Sequence, residues 1–250
     1  MKTMAYIALH YGKEWLAWAI RSVGNAVSEI HILYTRTPSF GHNTNLSCPD
    51  TEAALRAEAS RFAVVPVIWH QGTWPNEGAH REAALGIARE RGFDQILVLD
   101  ADEIWNPDTL RDVLALAGER KARVTRVRFV HFWRSLRWLC RDPALPARIL
   151  HLAGTGEWYA SPQEHPVFHM GYAQTPGLVR YKEAIHGHKN EWRRGWFESK
   201  FMSWTPESSM NDVHPTCVNF WTPECADHRT REVLAPILHD HPYWNLEMIP

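Results

Sequence analysis

The chain has 250 residues and a formal net charge of −1 at pH 7, so its overall charge gives no sign of a nucleic-acid-binding protein. Its hydrophobic fraction of 45% is ordinary for a globular protein, and no apolar run approaches the ~18 residues of a membrane span. The four cysteines lie far apart without a CxxC pair, which argues against a zinc knuckle or a disulfide framework. With no signal-peptide pattern at the start, a reduced, cytoplasmic protein is expected.

The first hundred residues alternate between strand and helix patterns. Strands are predicted at 5–10, 30–34, 64–69 and 96–99, and helices at 15–23, 51–62 and 79–91. The third strand contains Pro66, which cannot donate a backbone hydrogen bond and therefore predicts a position near a sheet edge. The alternation predicts βαβ units on a mostly parallel sheet.

The second half of the chain is richer in aromatic and basic residues. Strands are predicted at 122–132, 148–152 and 167–170. Between Glu191 and Trp204 aromatic residues recur at the spacing of one helix face. No repeat, low-complexity tract or linker interrupts the chain, which predicts a single domain.

Two aspartates follow the apolar strand 96–99 directly. Asp100 and Asp102 are one residue apart, so an extended chain places them on the same side. Ligands of open α/β sheets bind outside the carboxyl ends of the strands, and carboxylates suit Mg²⁺ or Mn²⁺. The alternative is a solvated acidic turn before a helix beginning at Asn106 and Pro107. The position at the end of a buried strand favours the metal.

Three stretches together resemble the GT-A-type glycosyltransferases, close to the large inverting family 2. They are 6–16 with 20–23, then 78–84, and then 97–103, which contains the Asp-Ala-Asp motif. The resemblance implies an α/β fold in which helices flank a Rossmann-like, mostly parallel central sheet, with a C-terminal aromatic-rich acceptor region. It also implies one GT-A-like domain, in which 1–105 binds the nucleotide sugar and 106–250 binds the acceptor.

The resemblance further implies a metal-dependent transfer of sugar from a nucleotide-sugar donor, a UDP-sugar, to a hydroxyl group. Mn²⁺ or Mg²⁺ would bridge Asp102 to the diphosphate. The implied donor-site residues are His10, Tyr11, Thr35, Arg81, Asp100 and Ala101. Family members often carry an acidic residue after the second strand that reads the uracil. Here Thr35-Arg36-Thr37 stands at that place, so the base of the nucleotide stays open.

Such enzymes typically take a carboxylate base and a histidine ligand from their second half. Candidates for the base are Glu164, which fits the order of the family motifs, then Glu157, and also Glu103 and Glu191. His169, at the end of a predicted strand, resembles the histidine of the family, and His188 competes with it.

The acceptor is expected to face two patches, 133–141 and 189–200, in which basic and aromatic residues are interleaved. It would be a saccharide, or a hydroxymethylated DNA base as in some phage enzymes. The alternative for the rings is the packed face of an amphipathic helix. A sugar-phosphate nucleotidyltransferase would need a glycine-rich loop where 10–14 has one glycine. A non-catalytic carbohydrate-binding protein would account for the 13 tryptophans.

Overall fold

The computed structural model describes residues 1–38, 44–160, 166–186, 189–208 and 210–250. The chain divides into two compact units that interleave along the sequence. Unit 1 comprises Met1–Gly41, Asp50–Phe129 and Pro143–Phe168; unit 2 comprises His42–Pro49, Val130–Asp142 and His169–Pro250. The functional halves 1–105 and 106–250 concern ligand binding and stay predictions.

The described part of the chain forms twelve strands and six α-helices. The strands are β1 (Thr3–Leu9), β2 (Glu29–Tyr34), β3 (Val67–Gln71), β4 (Gln95–Val98), β5 (Glu103–Ile104), β6 (Ala122–Arg126), β7 (Phe129–Trp133), β8 (Trp138–Arg141), β9 (Ala147–His151), β10 (Thr155–Tyr159), β11 (Val167–Tyr172) and β12 (Glu224–Cys225). The helices are α1 (Lys13–Val23), α2 (Glu52–Arg61), α3 (Glu77–Glu90), α4 (Pro107–Glu119), α5 (Pro176–Ile185) and α6 (His228–Leu238).

Unit 1 is organised on a seven-stranded sheet with the order β10-β6-β9-β4-β1-β2-β3. β1 pairs in parallel with β2 and β4, and β2 pairs in parallel with β3. β9 runs antiparallel to both of its neighbours, β4 and β6. The mostly parallel α/β sheet is therefore confirmed, and so is the edge position of the strand after Pro66. Because β9 is reversed, its first residues lie at the edge where β1, β2 and β4 end.

Local sequence signals explain where three helices of unit 1 begin. Thr51 Oγ1 accepts the Ala54 N–H at 3.2 Å before α2, and Asn76 Oδ1 accepts the Ala79 N–H at 2.9 Å before α3. Asn106 Oδ1 accepts from the first turn of α4, whose first residue is a proline. Such side chains satisfy backbone donors that have no partner within the helix. The helix expected after Asn106 is thus present beside the two aspartates.

The sequence predictions differ from the structure mainly in the second half. The strand predicted at 122–132 is broken into β6 and β7 at residues 127–128. The continuous helix indicated by the rings of 191–204 is wrong, because only Lys189–Glu191 and Phe197–Met202 are helical. Gly195, with φ of 69°, interrupts the stretch in a conformation that favours glycine.

Among the described residues, no helix combines the length and apolar character that crossing a membrane requires.

Unit 2 has an aromatic core. Its rings pack as a cluster in which Trp133, Trp196, Phe201 and Trp204 are almost fully buried. β8 pairs antiparallel with β7 on one side and with β12 on the other. The aromatic-rich C-terminal region is therefore present. The buried rings serve packing, and Trp138, Phe197 and Phe220 pack against them while partly buried.

Candidate functional site

His10 and Thr35, which follow β1 and β2, meet at the carboxyl edge of the unit 1 sheet. His10 Nδ1 lies 2.9 Å from the Thr35 carbonyl oxygen, so Nδ1 carries the proton and donates it. Burial lowers the pKa of His10, which keeps the ring neutral near pH 7. Thr35 is buried and donates its hydroxyl to the Thr37 carbonyl at 2.8 Å. The structure thus brings these two predicted donor-site residues together. Tyr11 follows with its ring edge-on to His10, at 5.9 Å between centroids.

Gly12 allows a close approach between the loop after β1 and the loop after β4. Its φ is 119°, and a Cβ built on it would lie 3.1 Å from the Ala101 Cβ. A larger residue at Gly12 would therefore be strained in its backbone and crowded against Ala101. The main chains after β1 and β4 are consequently adjacent beside the aspartates.

Asp50 fills the N-terminus of α1 with a carboxylate. Asp50 Oδ2 accepts the backbone N–H groups of Gly12 at 2.7 Å and Lys13 at 3.0 Å. The Lys13 ammonium lies 3.8 Å from Oδ1, and the Asp50 side chain is nearly inaccessible. Helix N-termini attract anions because their N–H groups are unpaired and the dipole is positive. In this protein the N-terminus of α1 is occupied by the carboxylate of Asp50. Asp50, which lies 38 residues from Gly12 along the chain, was not among the residues predicted from the sequence.

Arg148, the second residue of β9, links two of the three acidic side chains that follow β4, Asp100 and Glu103. Arg148 Nη2 donates to Asp100 Oδ2 at 2.8 Å, and its Nε donates to Glu103 Oε1 at 2.9 Å. Glu103 is fully buried, and burial raises the pKa of its carboxyl even though Arg148 opposes the shift. Burial alone would lower the pKa of Arg148, but the two carboxylates raise it overall. Glu103, an open candidate for the base, is thus held in a buried ion pair.

Arg81 lies in the same electrostatic environment as Asp100. Both side chains act on the pKa of the Tyr6 hydroxyl. Burial has the largest effect and raises this pKa, Asp100 raises it further, and Arg81 lowers it. Arg81 Nη2 pairs with Glu77 Oε1 at 2.6 Å within α3. Its Nε is buried without a hydrogen-bond acceptor among the described residues. Arg81 therefore keeps a donor that an anionic ligand would satisfy.

The kind of metal ion that Asp100 and Asp102 would bind depends on the ligand atoms near them. Within the ranges that the structure describes, no three His, Cys, Asp or Glu side chains form a cage for a cation. Asp100 gives one oxygen to Arg148, although its side chain stays 45% exposed, and Asp102 is half-buried. Mg²⁺ is commonly held by one or two carboxylates and completes its shell with phosphate oxygens and water. A cation at this pair would therefore depend on phosphate oxygens and water to complete its shell.

Glu157 lies on β10, at the far edge of the sheet, where β6 and β9 separate it from β4. Its carboxylate accepts from Arg126 Nε at 2.9 Å and from the Tyr159 hydroxyl at 3.2 Å. The hydrogen bond from Arg126 lowers the pKa of Glu157. A general base works best with a pKa near the operating pH, so this pairing weakens Glu157 as a base. Glu164 and His188 lie outside the described residues.

His169 belongs to unit 2, where it is hydrogen-bonded to a second histidine. His169 Nδ1 lies 2.8 Å from His131 Nδ1, and His131 Nε2 lies 3.4 Å from Asp142 Oδ2. Burial lowers the pKa of His131 to about 4, so its ring is neutral at pH 7. A neutral His131 that directs its Nε2 proton to Asp142 accepts at Nδ1, and His169 then donates its own Nδ1 proton. His169 therefore uses Nδ1 for its contact with His131. Its predicted role at the metal or diphosphate stays a prediction.

Comparisons with known proteins give structural similarity without sequence similarity. No protein-family model and no curated protein matches the sequence. The fold is similar to that of S. aureus TarS 1-349 in complex with UDP, with 12% identity, a TM-score of 0.44 and coverage of 74% of this chain and 64% of that one. A putative nucleotide-diphospho-sugar transferase from Desulfovibrio desulfuricans G20 has 11% identity and a TM-score of 0.35, with 61% and 64% covered. HddC from Yersinia pseudotuberculosis has 8% identity and a TM-score of 0.36, with 61% and 75% covered. The chain spans about 64% of the length of the TarS 1-349 chain that it matches.

Proposed function

We propose that this protein is a glycosyltransferase that binds a nucleotide-sugar donor at the carboxyl edge of the unit 1 sheet. The observation that carries the proposal is the meeting of three loops at this edge. The loops after β1 and β2 are joined by the bond between His10 and Thr35, and Gly12 lies against Ala101 in the loop after β4. Crevices at the carboxyl ends of parallel strands are where α/β proteins bind nucleotides.

The diphosphate of the donor is assigned to the place between Asp102 and Arg81. A Mn²⁺ or Mg²⁺ ion bound there would neutralise charge on the leaving nucleoside diphosphate. Asp102 and Asp100 would hold the ion. Asp100 would use Oδ1, because its Oδ2 accepts a hydrogen bond from Arg148. Arg81 would donate its unpaired Nε to a phosphate oxygen and so add a second positive charge. Mn²⁺ and diphosphate are therefore expected to bind with positive cooperativity.

The proposal also names a catalytic base and an acceptor. Glu157 is disfavoured by its pairing with Arg126, so Glu164 is the carboxylate proposed to take the acceptor proton. The acceptor is proposed to be a saccharide or a hydroxymethylated DNA base. Because the rings of unit 2 are packed in its core, polar and charged groups are left as its means of recognising an acceptor.

The proposal is tested by ligand-dependent stability. The protein is melted with UDP, GDP, CDP and ADP, each with Mn²⁺, with Mg²⁺ or with a chelator. A ligand that binds only the native state raises its stability by about 2.7 kcal/mol at 100 times its dissociation constant. Stabilisation by one diphosphate, larger with the cation than with the chelator, supports the proposal. Absence of stabilisation by every diphosphate under every condition overturns it.

A positive result is followed by an assay for sugar release. The sugar nucleotides of the stabilising base are incubated with the protein and Mn²⁺, and hydrolysis to the free diphosphate is measured. Slow hydrolysis without an acceptor distinguishes an enzyme from a carbohydrate-binding protein. Plain DNA, hydroxymethylcytosine-containing DNA and oligosaccharides are then compared as acceptors across a salt series. Binding through DNA phosphates weakens steeply with salt, whereas binding of a neutral saccharide does not.

A further inference from the structure

Arg134 is a buried arginine held inward by its backbone in unit 2. It follows β7 with a φ of 59°, a left-handed conformation that is uncommon for residues other than glycine. Its N–H donates to the Tyr172 carbonyl at 2.8 Å, and its carbonyl accepts the Ile249 N–H at 2.7 Å. Only 4% of the residue is exposed. The main chain of Arg134 is thus held by a hydrogen bond on each side.

The guanidinium of Arg134 has no anionic partner among the described residues. Its carbon lies 4.5 Å from the centre of the Phe201 ring, a cation–π contact that covers one face. Nε and Nη1 are buried without a hydrogen-bond acceptor. Burial lowers the pKa of Arg134, and no neighbouring charge opposes this shift. Arg148 shows the opposite arrangement, since its buried guanidinium is matched by two carboxylates.

Other donors in the same aromatic cluster are also unsatisfied. The indole N–H groups of Trp133, Trp138 and Trp192 are buried without an acceptor in the described part of the chain. By contrast, Trp196 Nε1 donates to the Val213 carbonyl at 2.8 Å, and Trp221 Nε1 donates to Asp142 at 3.1 Å. Buried polar groups are nearly always paired, so the unpaired guanidinium of Arg134 indicates a missing acceptor in unit 2.

We propose that unit 2 contains a subsite, centred on Arg134, that binds an oxyanion: a phosphate or carboxylate group. The planar guanidinium stacks on Phe201 and keeps its Nε and Nη1 donors for hydrogen bonds to such a group. Resting on the proposed glycosyltransferase function, the subsite identifies the acceptor as an anionic molecule. The positive φ of Arg134 holds the side chain in place before the ligand arrives, as strained residues at binding sites do.

The test compares Arg134→Met with Arg229→Met, in which an exposed arginine on α6, outside both predicted acceptor patches, is changed in the same manner. Melting temperatures are measured in a chloride buffer and then with added inorganic phosphate or acetate. The wild type and Arg229→Met are expected to gain about 5 °C at saturating concentrations of the preferred anion, and Arg134→Met nothing. The preferred probe distinguishes a phosphate from a carboxylate ligand.

Stability without the anion gives an independent readout. Removing an uncompensated buried charge leaves stability equal or raises it, so Arg134→Met is expected to melt no lower than the wild type in chloride. If Arg134→Met does not fold, Arg134→Lys, which keeps the charge but not the planar fork, must show a weakened anion response. A structural arginine predicts a lower melting temperature and no response to either anion in the wild type, and this result overturns the proposal. Diphosphate binding with Mn²⁺ is measured on the same variants, so that failure of the donor site and failure of this subsite are told apart.

Discussion

Arg148 Nη2 lies 2.8 Å from Asp100 Oδ2, while Nε of the same guanidinium lies 2.9 Å from Glu103 Oε1. One arginine thus ties the first aspartate of the Asp-Ala-Asp motif to a fully buried carboxylate. Asp100 cannot turn both oxygens toward a ligand without breaking this link. In the proposed donor site, Asp102 is therefore the residue on which the cation depends most.

Changing Asp102→Ala is expected to weaken Mn²⁺-dependent diphosphate binding by about 10-fold or more, because a charge-assisted contact contributes about 1.5–3 kcal/mol. The melting temperature without ligand should hardly change, since Asp102 is not part of the core. Titration calorimetry of the diphosphate with Mn²⁺ and with chelator measures the effect. Asp112→Ala, at an exposed position on α4, is the matched control and should bind like the wild type. Equal affinities in the two variants would refute the role of Asp102.

Changing Arg148→Met is expected to destabilise the protein by about 3–5 kcal/mol, because Glu103 is left buried without its cation. The double variant Arg148→Met/Glu103→Gln should recover part of this loss, since no unpaired charge then remains. Denaturant unfolding of the wild type, both single variants and the double variant gives the coupling energy. A double variant as unstable as the sum of the single variants contradicts the ion pair.

Changing Asp50→Ala is expected to cost about 1–2 kcal/mol of unfolding free energy, because two backbone donors at the start of α1 lose their acceptor. Asp50→Asn keeps an acceptor oxygen but not the charge, so its loss should be smaller. The difference between the two variants separates hydrogen bonding from the attraction of the helix dipole and Lys13. Added salt should reduce only the part of the stability loss that comes from removing the charge of Asp50. Identical losses in both variants would show that charge alone matters.

The pH dependence of stability should carry a contribution from His80. His80 is buried, with Nε2 3.0 Å from the Leu33 carbonyl, and burial lowers its pKa below the ordinary value of about 6.5. The unfolded chain therefore binds a proton more readily than the folded one. Stability from this group is complete above about pH 6.5 and is lost as the pH falls through the folded-state pKa.

The measurement is the free energy of unfolding at pH 8, 6.5 and 5.5 for the wild type and His80→Gln. The variant should lose less stability than the wild type between pH 8 and 5.5, because glutamine does not titrate in this range. His239→Gln, at an exposed histidine near the end of α6, is the control and should follow the wild type. Parallel pH profiles for wild type and His80→Gln would show that His80 does not contribute.

Local patterns in the sequence determined the order of strands and helices in the first half of unit 1. Apolar runs gave β1, β2 and β4, and capping side chains at Thr51, Asn76 and Asn106 mark helix starts that the structure retains. These signals act within a few residues, so they survive without knowledge of the rest of the fold. The aspartates could be placed at a strand end for the same reason.

Tertiary structure alone decided what those aspartates contact. Arg148 reaches Asp100 from 48 residues away because β9 runs antiparallel to β4, and Asp50 reaches Gly12 across 38 residues. The rings between Glu191 and Trp204 had the spacing of a helix, but Gly195 interrupts the chain and the rings pack into the core of unit 2 instead. Periodicity records which side chains are apolar or charged. Which of them meet depends on strand direction and on the packing of distant segments, and neither is a local property of the sequence.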